Sequence, residues 1–206
     1  MKIWKKYSQY LLSGEWHIHT SYTDGESSVD DYCKRAVELG IPLIVFTEHV
    51  RHNLSYDFNA YMDDIDNARE KYDLIILSGC EAKVLPDGTL DVDDDILKQV
   101  DYPIFAFHSF PRDIDIYLDA LYDVLRNPYV NTWAHPGVFL KRSGLYLSEK
   151  RLYNLFKNLN DNDTLIEQNM KYNAPPEAWL NITRRCRVNY VRGSDCHRVG
   201  DLKLVS

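Results

Sequence analysis

The stretch Gly14-Glu15-Trp16-His17-Ile18-His19, followed by Ser28-Val29-Asp30-Asp31-Tyr32-Cys33-Lys34-Arg35-Ala36-Val37-Glu38-Leu39-Gly40 and then Leu43-Ile44-Val45-Phe46-Thr47-Glu48-His49, decides the fold. The outer pieces are short runs rich in β-formers. The middle piece has apolar residues at helical spacing, a plausible N-cap in Ser28 and a closing glycine, so it reads as a helix. Strand, helix, strand is the unit of a parallel sheet.

The same rhythm continues outward. Strands are expected at 14–19, 43–47, 74–81, 102–108, 130–135, 164–168 and 188–194, with further helices near 60–72, 116–126, 148–158 and 176–186. An α/β fold with seven parallel strands follows. An open doubly wound sheet would share the rhythm, but no glycine-rich phosphate loop follows the first strand. A (β/α) barrel gathers functional residues at the C-terminal ends of many strands, and that pattern is present here. The acidic run 91–95 reads as a solvated loop. Without repeats, low-complexity tracts or linkers, residues 1–206 are expected to form one domain.

The net charge of -7 and a pI near 5.5 argue against a broad basic surface of the kind that binds nucleic acid regardless of sequence. A small anionic substrate stays compatible, because bound cations reverse local charge. No apolar stretch is long enough for a membrane span, and Met1-Lys2-Ile3-Trp4-Lys5-Lys6 has no apolar signal region behind it, so a cytoplasmic protein without a membrane partner is expected. The cysteines Cys33, Cys80, Cys186 and Cys196 form no CxxC pair and read as free thiols.

Of the seven histidines, His17, His19, His49, His108, His135 and His197 lie at or just beyond the end of an expected strand. His17 and His19 are two apart, which puts both imidazoles on one face. Glu81, at the end of Ser78-Gly79-Cys80-Glu81, brings a carboxylate to the same level, Asp195 stands within Ser194-Asp195-Cys196-His197, and Asp24 follows His19 by five residues in Thr23-Asp24-Gly25, where it equally suits a turn. Taken one at a time, each has a bland reading as a packed, turn or surface residue. Together, six strands ending in the same chemistry point to a metal site, and its imidazole and carboxylate ligands suit zinc, manganese or iron.

The ordered set His17-Ile18-His19, Asp24, His49, Glu81, His108, His135, Asp195 and His197 resembles the PHP (polymerase and histidinol phosphatase) family. Residues 79–91 and 101–102 resemble PHP modules of bacterial family X polymerases and small stand-alone PHP proteins. The resemblance covers residues 14–198 and implies a distorted seven-stranded (β/α) barrel with two or three divalent metal ions at its mouth. It further implies one ion at His17, His19, Glu81 and Asp195, a second at Glu81, His108 and His135, and a third at Asp24, His49 and His197. The implied activity is metal-dependent phosphoester hydrolysis, histidinol-phosphatase-like, with His17, His19, Glu81, Asp195 and His197 at the centre of catalysis.

Clustered divalent ions supply an activated water, a clamp on phosphoryl oxygens and stabilisation of the leaving oxygen. Arg198, Lys171 and Arg112 are candidates to hold the phosphate, with Lys83 and Arg51 behind them. His52 falls outside the set of nine and is a candidate acid for the leaving group or a plain loop residue. A small phosphorylated substrate is the expected partner, its selectivity residing in loops 51–60 and 138–147. The rival reading is a PHP-type exonuclease or phosphodiesterase acting on DNA ends or nucleotides. Amide or ester hydrolysis at the same site, or metals that merely staple the fold, are the remaining alternatives.

Overall fold

A computed structural model describes residues 1–204. The strands are β1 (Glu15–Ile18), β2 (Leu43–Val50), β3 (Ile75–Lys83), β4 (Tyr102–Ala106), β5 (Thr132–Trp133), β6 (Leu165–Asn169) and β7 (Tyr190–Gly193). They form one parallel sheet whose order is that of the chain. The helices between them are α1 (Val29–Leu39), α2 (Phe58–Lys71), α3 (Asp94–Gln99), α4 (Ile114–Val124), α5 (Val138–Ser143), α6 (Glu149–Asp161) and α7 (Glu177–Arg185). Each strand falls where the sequence places it, and the sheet curls into a nearly closed α/β barrel.

Closure is made beyond the ends of the first and last strands. The His19 N–H donates to Cys196 O at 2.8 Å, and the Cys196 N–H to His17 O at 3.2 Å. Lower down, the Arg192 N–H donates to Leu11 O at 2.8 Å. Side-chain alternation divides the core in two. Trp16, Leu43, Val45, Leu77, Tyr102 and Ile104 fill the barrel, with Trp4 and Leu11 from the N-terminal segment packed against them. Ile44, Phe46, Phe105, Trp133 and Ile166 point the other way, into the helix layer.

Side-chain caps set the starts of α1, α2, α4 and α6. Ser28 and Asp31 form a reciprocal capping box on α1, and Gly40 ends it at φ 68°. Asp57 and Asp113 cap α2 and α4, so both begin about one half-turn before the positions expected from apolar spacing alone. Two expectations are corrected. The run 91–95 is not all loop: Asp94 and Asp95 open α3, where acidic side chains favour a helix N-terminus. Loop 138–147 contains α5, a helix of six residues bounded by Gly137 and Gly144, both at positive φ.

Candidate metal centre

Strand alternation carries the chemistry to one mouth. Glu81 shares a face with Leu77, and His49 shares one with Leu43 and Val45, all on the barrel side. β1 needs a correction to its phase. Glu15 lies opposite Ile44 and Ile18 opposite Phe46, three residues against two, which is a β-bulge. It lets Trp16 pack inside the barrel while His17 and His19, both almost fully buried, reach the mouth. His135 and Asp195 sit at φ 70° and 54°. Left-handed backbone costs a non-glycine residue roughly 1–2 kcal/mol, and such outliers persist where surrounding structure holds them.

The structure brings all nine expected residues together. His17, His19 and Asp195 form one group of facing ligand atoms, His19, His49 and Glu81 a second, and Glu81, His108 and His135 a third. Glu81 is the hub, with His135 Nε2 at 2.8 Å, His49 Nδ1 at 3.0 Å and His108 Nε2 at 3.4 Å from its oxygens. Asp24 closes the rim, its Oδ2 lying 3.2 Å from His197 Nε2 and 3.5 Å from His49 Nε2. Far from pairing with Lys83 in solvent, Glu81 is 1 % exposed.

Three buried carboxylates that sequence reasoning left out hold these groups in place. Glu167 Oε1 accepts a 2.6 Å hydrogen bond from His17 Nδ1, which aims Nε2 at His19, Asp195 and Glu81 and leaves it the ring nitrogen free to bind a cation once it has lost its proton. Glu15 Oε1 accepts from the His17 N–H and the Ser194 N–H, joining β1 to the loop that carries Asp195 and His197. Glu48 accepts from the Thr20 N–H and the Thr23 hydroxyl, fixing the loop that carries Asp24. A signal for Glu167 existed: it shares the inward face of β6 with Leu165, as Glu81 does with Leu77 on β3.

The charges are unbalanced without a cation. Burial works to lower the His17 pKa, yet the Glu167 carboxylate, helped by Asp195 and Glu81, raises it to about 10. Burial also disfavours the Glu81 anion, but the facing His108, His135 and His49 imidazoles hold its pKa well below the usual carboxylate range. His19 is pushed well below its ordinary value by burial and by the neighbouring His17 and His49. Its Nδ1 is buried without a hydrogen-bond partner, as is that of His49, whose 3.0 Å approach to Glu81 lacks hydrogen-bond geometry. Imidazole nitrogens facing each other at 3.0 Å between His17 and His19, around shared carboxylates, fit divalent cations.

The expected phosphate-binding residues divide. Lys171 reaches the centre, with Nζ 3.3 Å from both Asp195 Oδ2 and His197 Nδ1. Arg198 is engaged outside it, donating to Glu26 at 2.7 Å, and Arg112 is exposed on the loop after β4. Arg51 lines a rim cavity of about 300 Å³ together with Asp24 and His49. Lys83 is half-buried at the end of β3. His52 pairs with Asp93 at 2.8 Å on the surface and belongs to none of the ligand groups among the described residues. The four cysteines are free, and Cys196 turns its thiol into the helix-side core.

A sequential parallel barrel bearing a histidine–carboxylate cluster at its mouth defines the class of metal-binding α/β barrels. The model of the PHP domain family matches residues 15–179, and the chain belongs to that family. It is 29 % identical over 181 residues to the DNA polymerase/3'-5' exonuclease PolX of Bacillus subtilis, covering 84 % of this chain and 30 % of that protein. A probable phosphatase of Caldicellulosiruptor bescii is 23 % identical over 204 residues, covering 93 % of this chain and 82 % of the relative. The chain thus spans less than a third of the first of these relatives, and about half of a probable phosphatase of Acetivibrio thermocellus. In fold it is similar to the crystal structure of histidinol phosphate phosphatase from Lactococcus lactis, complexed with zinc, L-histidinol and phosphate. The TM-score is 0.71 at 18 % identity, over 91 % of this chain and 88 % of that one. Among the described residues no helix is long and apolar enough to cross a membrane.

Proposed function

We propose that the protein is a metal-dependent phosphoesterase that hydrolyses a small phosphomonoester. The observation that carries this reading is the convergence of six imidazoles and three carboxylates on one mouth, with the Lys171 ammonium beside them. The naming of several relatives as probable phosphatases supports it.

Two or three ions of zinc, manganese or iron type would be held by His17, His19, Glu81 and Asp195, by Glu81, His108 and His135, and by Asp24, His49 and His197. Divalent ions so placed supply Lewis acidity toward phosphoryl oxygens and lower the pKa of water. The chain's own residues provide the rest. Glu167 keeps the His17 ring oriented, and Glu15 and Glu48 hold the two loops that bring Asp195, His197 and Asp24 to the mouth. Lys171 offers a positive charge to the substrate oxygens, while Arg198 and Arg112 are placed to attract an anion on approach rather than to grip it. Water gives up a proton and forms the new P–O bond, the ester P–O bond breaks, and the leaving alkoxide oxygen takes up a proton to depart as the alcohol.

The relative PolX favours a second reading, cleavage at DNA ends, since its match covers most of this chain. The net charge of -7 weighs against it. Protein loaded with zinc, manganese or iron should turn over p-nitrophenyl phosphate and release little nucleotide from single-stranded DNA. His17→Ala should reduce monoester turnover at least about a hundredfold. Salt-sensitive DNA binding with exonuclease activity and no monoester turnover would reverse the ranking.

A further inference from the structure

Beside the metal centre lies a cavity of about 420 Å³ that the residues discussed so far leave unexplained. Its walls include Val138, Leu140, Leu147, Leu152 and Trp179, contributed by the α5 region, α6 and α7. The cavity begins where the centre ends. Pro136 and Gly137, which line it, directly follow His135. Tyr172, a further wall, stands edge-on to the His135 ring with centroids 5.7 Å apart. Its chain neighbour Lys171 is the residue whose ammonium reaches Asp195. Two cations lie over the Tyr172 ring, Arg142 at 5.0 Å and Lys171 at 5.4 Å from its centroid.

We propose that this cavity receives the alcohol portion of the substrate, and that this portion is apolar, an aryl or arylalkyl group rather than a sugar or polyol. The proposal rests on the phosphoesterase reading, and names the substrate class for it. The volume falls in the range of small-molecule sites, roughly 300–1,000 Å³, and apolar walls with few polar groups are usual there. Lys141 and Asn173 are among the few polar residues of the lining, so most hydroxyls of a sugar would lose water against valine, leucine and tryptophan without gaining partners. A benzyl-sized group would bury its surface instead. Lys171 at the junction would face the phosphate while Tyr172 faces the ring, so one dipeptide reads both halves of the ester.

The test compares benzyl phosphate with glycerol 3-phosphate on the metal-loaded protein, since both leave as alkoxides of similar basicity. It repeats the comparison in Ala178→Trp, which fills the cavity from an exposed position, with folding verified by thermal melting. In parallel, calorimetry compares benzylphosphonate with methylphosphonate, which need no turnover. A kcat/KM for benzyl phosphate at least about tenfold higher, with the ratio collapsing in the variant, is the expected result. Equal kcat/KM values, or a preference that Ala178→Trp leaves intact, would overturn the proposal while leaving the phosphoesterase reading in force. Failure to turn over either ester would remove that reading, and the phosphonates then decide. Tighter benzylphosphonate binding that the variant abolishes upholds the cavity as an apolar ligand site, and equal binding overturns it.

Discussion

Glu81 collects five imidazoles around one carboxylate, those of His17, His19, His49, His108 and His135. The His17 ring is oriented by Glu167, through a buried 2.6 Å hydrogen bond. Partners of this kind are typically worth ten- to a hundredfold in metal affinity or activity. Glu167→Gln keeps the volume but replaces the acceptor carboxylate with an amide that also fits the opposite ring tautomer. We expect metal affinity, measured by chelator competition, to fall about ten- to a hundredfold with secondary structure unchanged; unaltered affinity would show that β3 and β7 alone orient His17. The six histidines of the cluster stood out in the sequence because each lies at or just beyond the end of a strand, while Asp24, which follows the segment Thr20-Ser21-Tyr22-Thr23, was singled out with the family pattern. Glu167 was missed although it shares the face of Leu165, because the strand does not end on it and its neighbour Gln168 is the exposed residue.

At the level of elements, the seven strands were readable from composition and punctuation, whereas the bulge in β1 was not. A bulge depends on the register of two strands, Glu15 against Ile44 and Ile18 against Phe46, and a single segment does not contain that information. The α5 helix escaped for a related reason: six residues without a side-chain cap give no helical period long enough to detect. β7 shows how tightly elements are fitted around the centre. A Cβ on Gly193 would stand 1.9 Å from Glu167 Oε1 and 2.9 Å from His17 Cβ, both rigidly placed. Gly193→Ala should therefore displace Glu167 and reproduce the affinity loss of Glu167→Gln. A loss of thermal stability should come with it, since β6 and β7 must separate. Full affinity in Gly193→Ala would mean that the Glu167 to His17 contact is dispensable.

On the scale of the whole molecule, the centre joins parts that are far apart in the chain, from His17 to His197. A ligand that binds the folded form alone stabilises it by RT ln(1 + [L]/Kd), about 2.7 kcal/mol when the free ion is at a hundred times Kd. For a chain of this size that corresponds to a melting shift of roughly 5–11 °C. Chelation should lower the Tm by that order in the wild type and by much less in Glu81→Gln, as read by scanning calorimetry. An equal shift in both would place the stabilising ion elsewhere. The seam between β1 and the segment after β7 has a further meaning during synthesis. Strands one to six can pair in the order in which they leave the ribosome, yet His17 and His19 lack their Asp195 partner until the final turn of the barrel has been made. Of the three ligand groups, the one made by His17, His19 and Asp195 is therefore completed last, after the groups around Glu81 have all their residues.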